Sequence, residues 1–205
     1  MAAFPPCGIE PKWPPSTRFA RHVDHPGQLG GAPSHVFSQG GVGGLAAAVC
    51  GYFWERLGHA RPCVVVVEPD RADCLMQSAR NGKVTAVHGD LDTQMTGLAC
   101  GEVSLLAWQI LEAGADAFAV ISDDAAIAAM RLLASPSPSE GESAVAGLAA
   151  AIGVAQQDDQ RAPLGLNAQS RLLFFGTERD TDPALYTRLV GRSSEDVLAP
   201  SRALA

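Results

Sequence analysis

One run of apolar residues constrains the fold more than any other part of the chain. Residues 62–69, PCVVVVEP, contain four consecutive valines without alternating polar positions. Such a run is typical of a strand buried on both faces, as in a parallel sheet covered by helices on both sides. The surrounding pattern adds a strand at 34–39, a helix at 45–58, a helix at 70–82 and a strand at 83–89. This alternation with short connections predicts an α/β fold with a parallel sheet.

After the third of these strands, the pattern predicts more helix than strand. Helices are expected at 104–115, 123–135 and 143–157, and a short strand is expected at 117–122. A last buried strand is expected within 171–182, where an apolar run leads into a polar turn. The predicted fold class is therefore α/β, a partial parallel sheet flanked by helices.

The two ends of the chain differ from this central part. Residues 1–33 contain half of the 14 prolines, and proline removes backbone donors and disfavours helix before it. We therefore predict a disordered or aberrant extension at 1–33, an α/β domain at 34–190 and a tail at 191–205.

Composition excludes several classes of partner. The chain has 15 Lys+Arg against 22 Asp+Glu and a formal charge of −7, so it lacks the basic surface that phosphate backbones or anionic membranes require. No apolar run approaches the roughly 20 residues of a membrane span. The five cysteines form no CxxC pair, which argues against a zinc site or a disulfide framework. We expect no nucleic acid, no membrane and no metal, and a cytoplasmic location with reduced thiols.

The strongest functional signal is a glycine loop between the first predicted strand and the first helix. In SHVFSQGGVGGLAAAV, four glycines surround Val42; they are Gly40, Gly41, Gly43 and Gly44. Loop glycines let the backbone approach an anion, and the helix N-terminus behind them presents free N–H groups and the positive end of a dipole. The pattern predicts phosphate binding, and the alternative is a tight turn that binds nothing.

Two cofactors could supply that phosphate, and the first is a dinucleotide. Gly41, Val42, Gly43 and Ala46 satisfy the GxGxxA pattern, and Glu68 ends the next strand where a ribose-binding carboxylate is expected. This interpretation gives a Rossmann-like NAD-dependent oxidoreductase. Glu68 could equally stabilise the N-terminus of the helix that follows it.

The second cofactor is pyridoxal phosphate, and it rests on a resemblance. The segments GGVGGLAAAV, VVVVEPDRADC, GDLDTQMTGLACGE, GESAVAGL and GTERDTD occur in this order over about residues 34–190. In order and spacing they resemble the diaminopropionate ammonia-lyases, which belong to the fold type II, tryptophan synthase β-like enzymes. The resemblance implies that residues 40–44 hold the cofactor phosphate and that the Thr177 hydroxyl contacts the ring nitrogen. The chain departs from the family pattern at Gly176, where a hydroxyl is usual, and at Arg179, which replaces a glycine.

Two further segments are expected to border the cofactor on the same resemblance. GLACGE, residues 97–102, looks like a family signature near the active-site wall, so Glu102 could face substrate or could open a helix as a cap. GESA, residues 141–144, resembles a loop-to-helix turn that approaches the cofactor, with Ala144 in place of a glycine.

The resemblance also implies a reaction on a small amino-acid substrate, the α,β-elimination of 2,3-diaminopropionate to pyruvate and ammonia. It further implies a homodimer. That reaction begins with a lysine amine that holds the cofactor aldehyde. The only lysines here are Lys12, in a proline-rich segment, and Lys83, at the start of a predicted strand. We therefore expect no catalytic residue in this chain and a truncated C-terminal portion that is inactive alone. The alternative is a non-catalytic, phosphate-cofactor-binding remnant or partner subunit.

Overall fold

The computed structural model describes residues 8–11, 32–134 and 140–198. Within these ranges five strands form one sheet: β1 (Gly8–Pro11), β2 (His35–Gln39), β3 (Cys63–Pro69), β4 (Ala117–Ile121) and β5 (Leu172–Leu173). Their order across the sheet is β1-β4-β3-β2-β5. Strands β2 to β5 are mutually parallel, and β1 pairs antiparallel with β4 at one edge. The predicted α/β fold with a parallel sheet is confirmed.

The helices of the described ranges mostly follow the predicted segments. They are α1 (Gly44–Leu57), α2 (Cys74–Asn81), α3 (Leu105–Gly114), α4 (Asp123–Leu133), α5 (Ala146–Ala155), α6 (Asp158–Leu164), α7 (Pro183–Val190) and α8 (Ser194–Leu198). Serine hydroxyls cap two of them, because Ser104 and Ser122 accept hydrogen bonds from the first turns of α3 and α4. None of these helices is long and apolar enough to cross a bilayer.

The valine run is buried on both faces of the sheet, as its sequence predicts. Val64 and Val66 pack with residues of α1, α2 and α3 on one side. Val65 and Val67 pack with residues of α4, α5 and α7 on the other side. All four side chains are fully buried. The sheet is therefore the middle layer between two layers of helices, which is the arrangement that parallel strands require.

The strand predicted at 83–89 is wrong. The Thr85 amide donates to Ser78 Oγ at 2.9 Å, and the Val87 amide donates to the Gly101 carbonyl at 2.8 Å. These bonds tie the segment to the end of α2 and to a later loop, so its backbone groups do not enter the sheet. The strand that follows β3 is instead β4, which pairs with β3 in parallel register.

The two terminal segments contribute more structure than their composition suggests. Most of residues 1–33 lie outside the described ranges, but β1 belongs to that segment and occupies an edge of the sheet, where a proline is tolerated. Near the other end, α7 buries Tyr186, and Val197 of α8 is also buried. Residues 199–205 lie outside the described ranges.

Helix α5 lies close against the sheet because nearly all of its buried residues are glycine or alanine. A Cβ atom at Gly147 would lie 2.6 Å from the backbone oxygen of Phe37 in β2. A real Cβ does not approach a backbone atom that closely, so α5 and β2 would have to separate to admit one. Gly51 in α1 offers the opposite environment, since its Cβ would meet one atom at 4.0 Å.

We therefore expect opposite effects from the same substitution in two helices. Gly147→Ala should lower the free energy of unfolding by ~2 kcal/mol or more, because the added methyl overpacks a backbone contact. Gly51→Ala should raise it by ~0.5–1 kcal/mol, because alanine favours a helix interior. Urea denaturation followed by circular dichroism measures both changes. Equal effects at the two positions would contradict the close packing of α5 on β2.

Candidate functional site

The glycine loop connects β2 to α1 at the carboxyl edge of the sheet. The Gly40 amide donates to the Val67 carbonyl at 2.7 Å and continues the pairing of β2 with β3. A Cβ at Gly40 would lie 2.8 Å from side-chain atoms of both Leu75 and Val66, so the loop backbone lies directly on the packed core. Gly43 has φ of 94°, a left-handed conformation that favours glycine. The sequence therefore needs glycine here to form the turn at all.

The start of α1 has free backbone donors and open space around them. Within the described ranges, no side chain caps the helix, and no acidic residue lies in its first turn. The first N–H groups of a helix have no acceptor within the helix itself. A Cβ at Gly44 would meet no described atom within 4 Å, so the space beside these donors is open. This geometry fits a phosphate, because exposed N–H groups and the helix dipole both favour an anion.

Segments that are distant in sequence meet beside this loop. The Gly97 amide donates to Ser143 Oγ at 3.2 Å, and the Ser143 amide donates to Glu178 Oε1 at 3.1 Å. On the loop side, a Cβ at Gly41 would lie 3.2 Å from Cys100 Sγ and 3.3 Å from the Gly97 carbonyl oxygen. The segments 97–102 and 141–144 therefore both lie near the glycine loop, as the resemblance implies.

Thr177 hydrogen-bonds to Gln39, for which the sequence indicates no functional role. Gln39, which immediately precedes the loop, donates from Nε2 to Thr177 Oγ1 at 2.8 Å. Thr177 itself is exposed. The only sequence signal for Gln39 was a polar residue at the end of a short strand.

The departures from the family pattern have local consequences. A Cβ at Gly176 would lie 2.7 Å from Glu140 Oε2, so the Glu140 carboxylate occupies the space that a side chain at 176 would use. Arg179 forms an isolated antiparallel bridge with Glu140. Glu102 is exposed, and the cap of α3 is Ser104, so the structure does not use Glu102 as a helix cap.

Glu68 has a structural role, since its carboxylate joins the end of β3 to α2. Its side chain is fully buried at the end of β3, and both of its carboxylate oxygens accept hydrogen bonds of 2.8 Å, from the amides of Leu75 and Met76 in α2. Burial raises the pKa of Glu68 from an ordinary value of 4.5 to about 8, although these amide bonds offset part of the effect. A carboxyl enclosed in this way cannot bind a ribose. The dinucleotide interpretation therefore loses its ribose ligand.

Lys83 lies away from the glycine loop. Cys74 begins α2 with its thiol 3.7 Å from the Gly41 carbonyl oxygen, whereas Lys83 follows Gly82, the residue that ends the helix. An eight-residue helix is about 12 Å long, which separates the two ends. Lys83 is exposed. Lys12 lies outside the described residues.

A parallel sheet whose carboxyl edge presents a glycine loop and an uncapped helix N-terminus defines an α/β protein suited to hold a phosphorylated cofactor. A family model described as "Pyridoxal-phosphate dependent enzyme" matches residues 23–177. The chain belongs to this family. The cofactor of the family is pyridoxal phosphate, which decides between the two cofactors that the sequence left open.

Within this family, the chain is similar to diaminopropionate ammonia-lyases. Diaminopropionate ammonia-lyase of Salmonella typhimurium is 37% identical over 175 residues, which are 79% of this chain and 43% of that enzyme. The crystal structure of the Escherichia coli enzyme in complex with an aminoacrylate-PLP azomethine reaction intermediate superposes with a TM-score of 0.72 and 35% identity, covering 80% of this chain and 43% of that one.

A more distant neighbour agrees on the fold alone. The processed form of a threonine deaminase from Solanum lycopersicum superposes with a TM-score of 0.62 and 20% identity, covering 78% of this chain and 45% of that one. The comparisons confirm the family resemblance and the fold class. The chain spans less than half the length of the Salmonella relative that it matches.

The buried Glu68 carboxyl predicts a specific dependence of stability on pH. Because its pKa is about 8 in the folded chain and near 4.5 when exposed, its contribution is complete below pH 4.5 and is lost as pH rises through 8. Glu68→Gln removes this titration. We expect the variant to gain on the wild type by on the order of 4 kcal/mol between pH 4.5 and 8.5.

Urea denaturation across this pH range measures the difference in free energy of unfolding between the two proteins. Glu55→Gln, at an exposed position of α1, removes the same formal charge and serves as the matched control. A difference between wild type and Glu68→Gln that stays constant with pH would show that Glu68 does not titrate in this range.

Proposed function

We propose that this chain binds pyridoxal phosphate through residues 40–44 and Thr177, as part of a diaminopropionate ammonia-lyase. The observation that carries the proposal is the uncapped start of α1. It has no acidic residue in its first turn, and a Cβ at Gly44 would meet no described atom within 4 Å. Family membership and 37% identity to the Salmonella enzyme support the cofactor and the substrate class. The reaction proposed is the elimination of 2,3-diaminopropionate to pyruvate and ammonia.

Each part of the site has a separate role in this proposal. The backbone N–H groups at the start of α1 bind the phosphate, and Thr177 faces the cofactor ring. Ser143 fixes the distance between the segments 97–102 and 141–144, which would form the wall of the site. When bound, pyridoxal phosphate supplies an electron sink for elimination from an amino acid.

A second function is favoured by the lysines. The chain contains only Lys12 and Lys83, and Lys83 lies at the far end of α2 from the loop. This favours a phosphate-cofactor-binding chain that does not itself provide the catalytic amine, so that the amine for turnover would come from outside these 205 residues. A homodimer and a cytoplasmic location also belong to the proposal. The family resemblance supports the dimer, and an odd number of cysteines without a CxxC pair fits a reducing compartment.

The variant Gly44→Asp separates cofactor binding from folding. Its Cβ enters open space, and an acid in the first turn interacts favourably with the helix dipole, so stability should change by less than ~1 kcal/mol. The same carboxylate would occupy the phosphate position and repel it. We expect the affinity for pyridoxal phosphate to fall at least ~10-fold, a loss of ~1.4 kcal/mol.

Calorimetric titration with pyridoxal phosphate measures this loss, and thermal unfolding verifies the fold. Gln169 is exposed and lies just before β5, at the amino ends of the strands and away from the glycine loop. Gln169→Asp adds the same charge and should leave the affinity for pyridoxal phosphate unchanged. Equal affinity of Gly44→Asp and wild type would contradict phosphate binding at the loop. Thermal stabilisation by NAD but not by pyridoxal phosphate would contradict the cofactor.

The position of Lys83 gives a prediction about covalent attachment. We treat the chain, saturated with pyridoxal phosphate, with borohydride. We expect the Lys83 peptide to carry no more label than Lys12 or the N-terminal amine, because Lys83 lies far from the loop. Peptide mass spectrometry measures the labelling, and Lys83→Arg is the control. Stoichiometric labelling of Lys83 that depends on Gly44 would show that this chain does provide the amine.

A further inference from the structure

The side chain of Gln39 joins the end of β2 to the segment that follows β5. Its Nε2 donates to the Phe175 carbonyl oxygen at 2.8 Å and to Thr177 Oγ1 at 2.8 Å. Gln39 is 4% exposed, whereas Phe175 is half-buried and Thr177 is exposed, so the amide reaches from the core to the surface. These partners lie 136 and 138 residues away in the chain.

The chemistry of the partners fixes the orientation of the amide. A backbone carbonyl can only accept, so the atom of Gln39 that faces Phe175 must be the amide nitrogen. The same nitrogen has a second hydrogen, which it donates to Thr177 Oγ1. Gln39 Oε1 is buried without a partner among the described residues. An unsatisfied buried oxygen costs free energy, so packing alone does not account for a glutamine here.

This bond determines what the Thr177 hydroxyl can do. A hydroxyl has one hydrogen to donate and lone pairs to accept. Because Oγ1 already accepts from Gln39, and because Nε2 has no lone pair to offer, the hydroxyl hydrogen must point away from Gln39. Thr177 is exposed, and its partner Gln39 immediately precedes the glycine loop, so a ligand held at the loop could meet this hydrogen. Thr177 is therefore presented as a hydrogen-bond donor.

We propose that Gln39 is a positioning residue that holds the Thr177 hydroxyl as a donor to an unprotonated ring nitrogen of the cofactor. The inference rests on the proposed function, because it needs pyridoxal phosphate at the loop. A donor hydroxyl matches a pyridine nitrogen with a free lone pair and does not match a protonated one. Gln39 thus selects a heteroaromatic ligand whose ring atom at this position is an acceptor.

The experiment compares two ligands that differ only at this ring atom. One is pyridoxal phosphate, and the other is its 1-deaza analogue, in which a C–H group replaces the ring nitrogen. Calorimetry gives the affinity of the wild type for each, and their ratio isolates the ring contact because the phosphate is common to both. We expect a preference for pyridoxal phosphate of about 10-fold, the scale of one hydrogen bond.

Variants at both positions then test the role of Gln39. Gln39→Glu keeps the shape but replaces the donor with an acceptor, which turns the Thr177 hydrogen inwards. Gln39→Leu removes the donor without adding charge and serves if the glutamate variant does not fold. We expect the ratio to fall towards 1 in Gln39→Glu and in Thr177→Val, and the double variant should show no further loss. Gln169→Glu adds the same charge at the opposite edge of the sheet and should retain the full ratio.

The outcomes distinguish this inference from the proposed function. Two outcomes would overturn the role of Gln39 alone. In one, the wild type binds pyridoxal phosphate and the 1-deaza analogue equally well. In the other, the Gln39 variants fold and keep the preference for pyridoxal phosphate that Thr177→Val loses. In those cases the Gly44→Asp result would still support the loop. A wild type that binds neither ligand would overturn both proposals. Thermal unfolding of every variant without ligand shows whether a lost preference reflects a lost fold.

Discussion

The common direction of strands β2 to β5 is the constraint on which the rest of the structure depends. Parallel strands end at the same edge of a sheet, so the segments that follow them emerge together. The glycine loop follows β2, Glu68 lies near the end of β3, and Thr177 follows β5. Since β2 lies between β3 and β5, its loop is flanked by the segments that follow both neighbours. The strand order alone therefore brings together the backbone segments of the candidate site.

Close packing against the backbone of two glycines is what makes this edge compact. Gly147 lets α5 lie on the backbone of β2, and Gly40 lets the loop lie on the core between β3 and α2. Both contacts leave no room for a Cβ, so the two helix layers are held near the strand that begins the loop. A tightly held loop keeps its donors in place without a ligand, which reduces the ordering that binding would require.

The sequence predicts the parts of the fold whose signals are local. Strand β3 is evident because four valines leave no solvent-facing position, and α3 and α4 are evident from their apolar spacing after Ser104 and Ser122. The segment 83–89 contains valine and threonine, which favour strands, but Ser78 Oγ accepts from the Thr85 amide, and the side chain thereby competes with the sheet. The burial of Tyr186 was not predicted either, because it depends on packing against distant helices.

Glu68 and Gln39 show why the site is harder to predict than the fold. Each is a polar residue near the end of a strand, and the sequence indicated a ligand role for Glu68 and none for Gln39. Gln39 pairs with Val67, whose side chain faces α5, whereas Glu68 lies on the opposite face towards α2. Glu68 finds its donors seven and eight residues later, in the helix that its own strand enters, so both oxygens are used within the fold.

Gln39 finds its partners only after the chain has crossed the sheet to β5, and its carbonyl oxygen remains without one among the described residues. A polar strand end that is satisfied by its own following helix is explained by folding. One that is satisfied across the sheet, at an exposed hydroxyl, incurs a desolvation cost that folding does not require. That difference depends on which face of the sheet each side chain takes and on a contact 138 residues apart in the chain. It is the reason that we treat Glu68 as structural and propose Gln39 for the site.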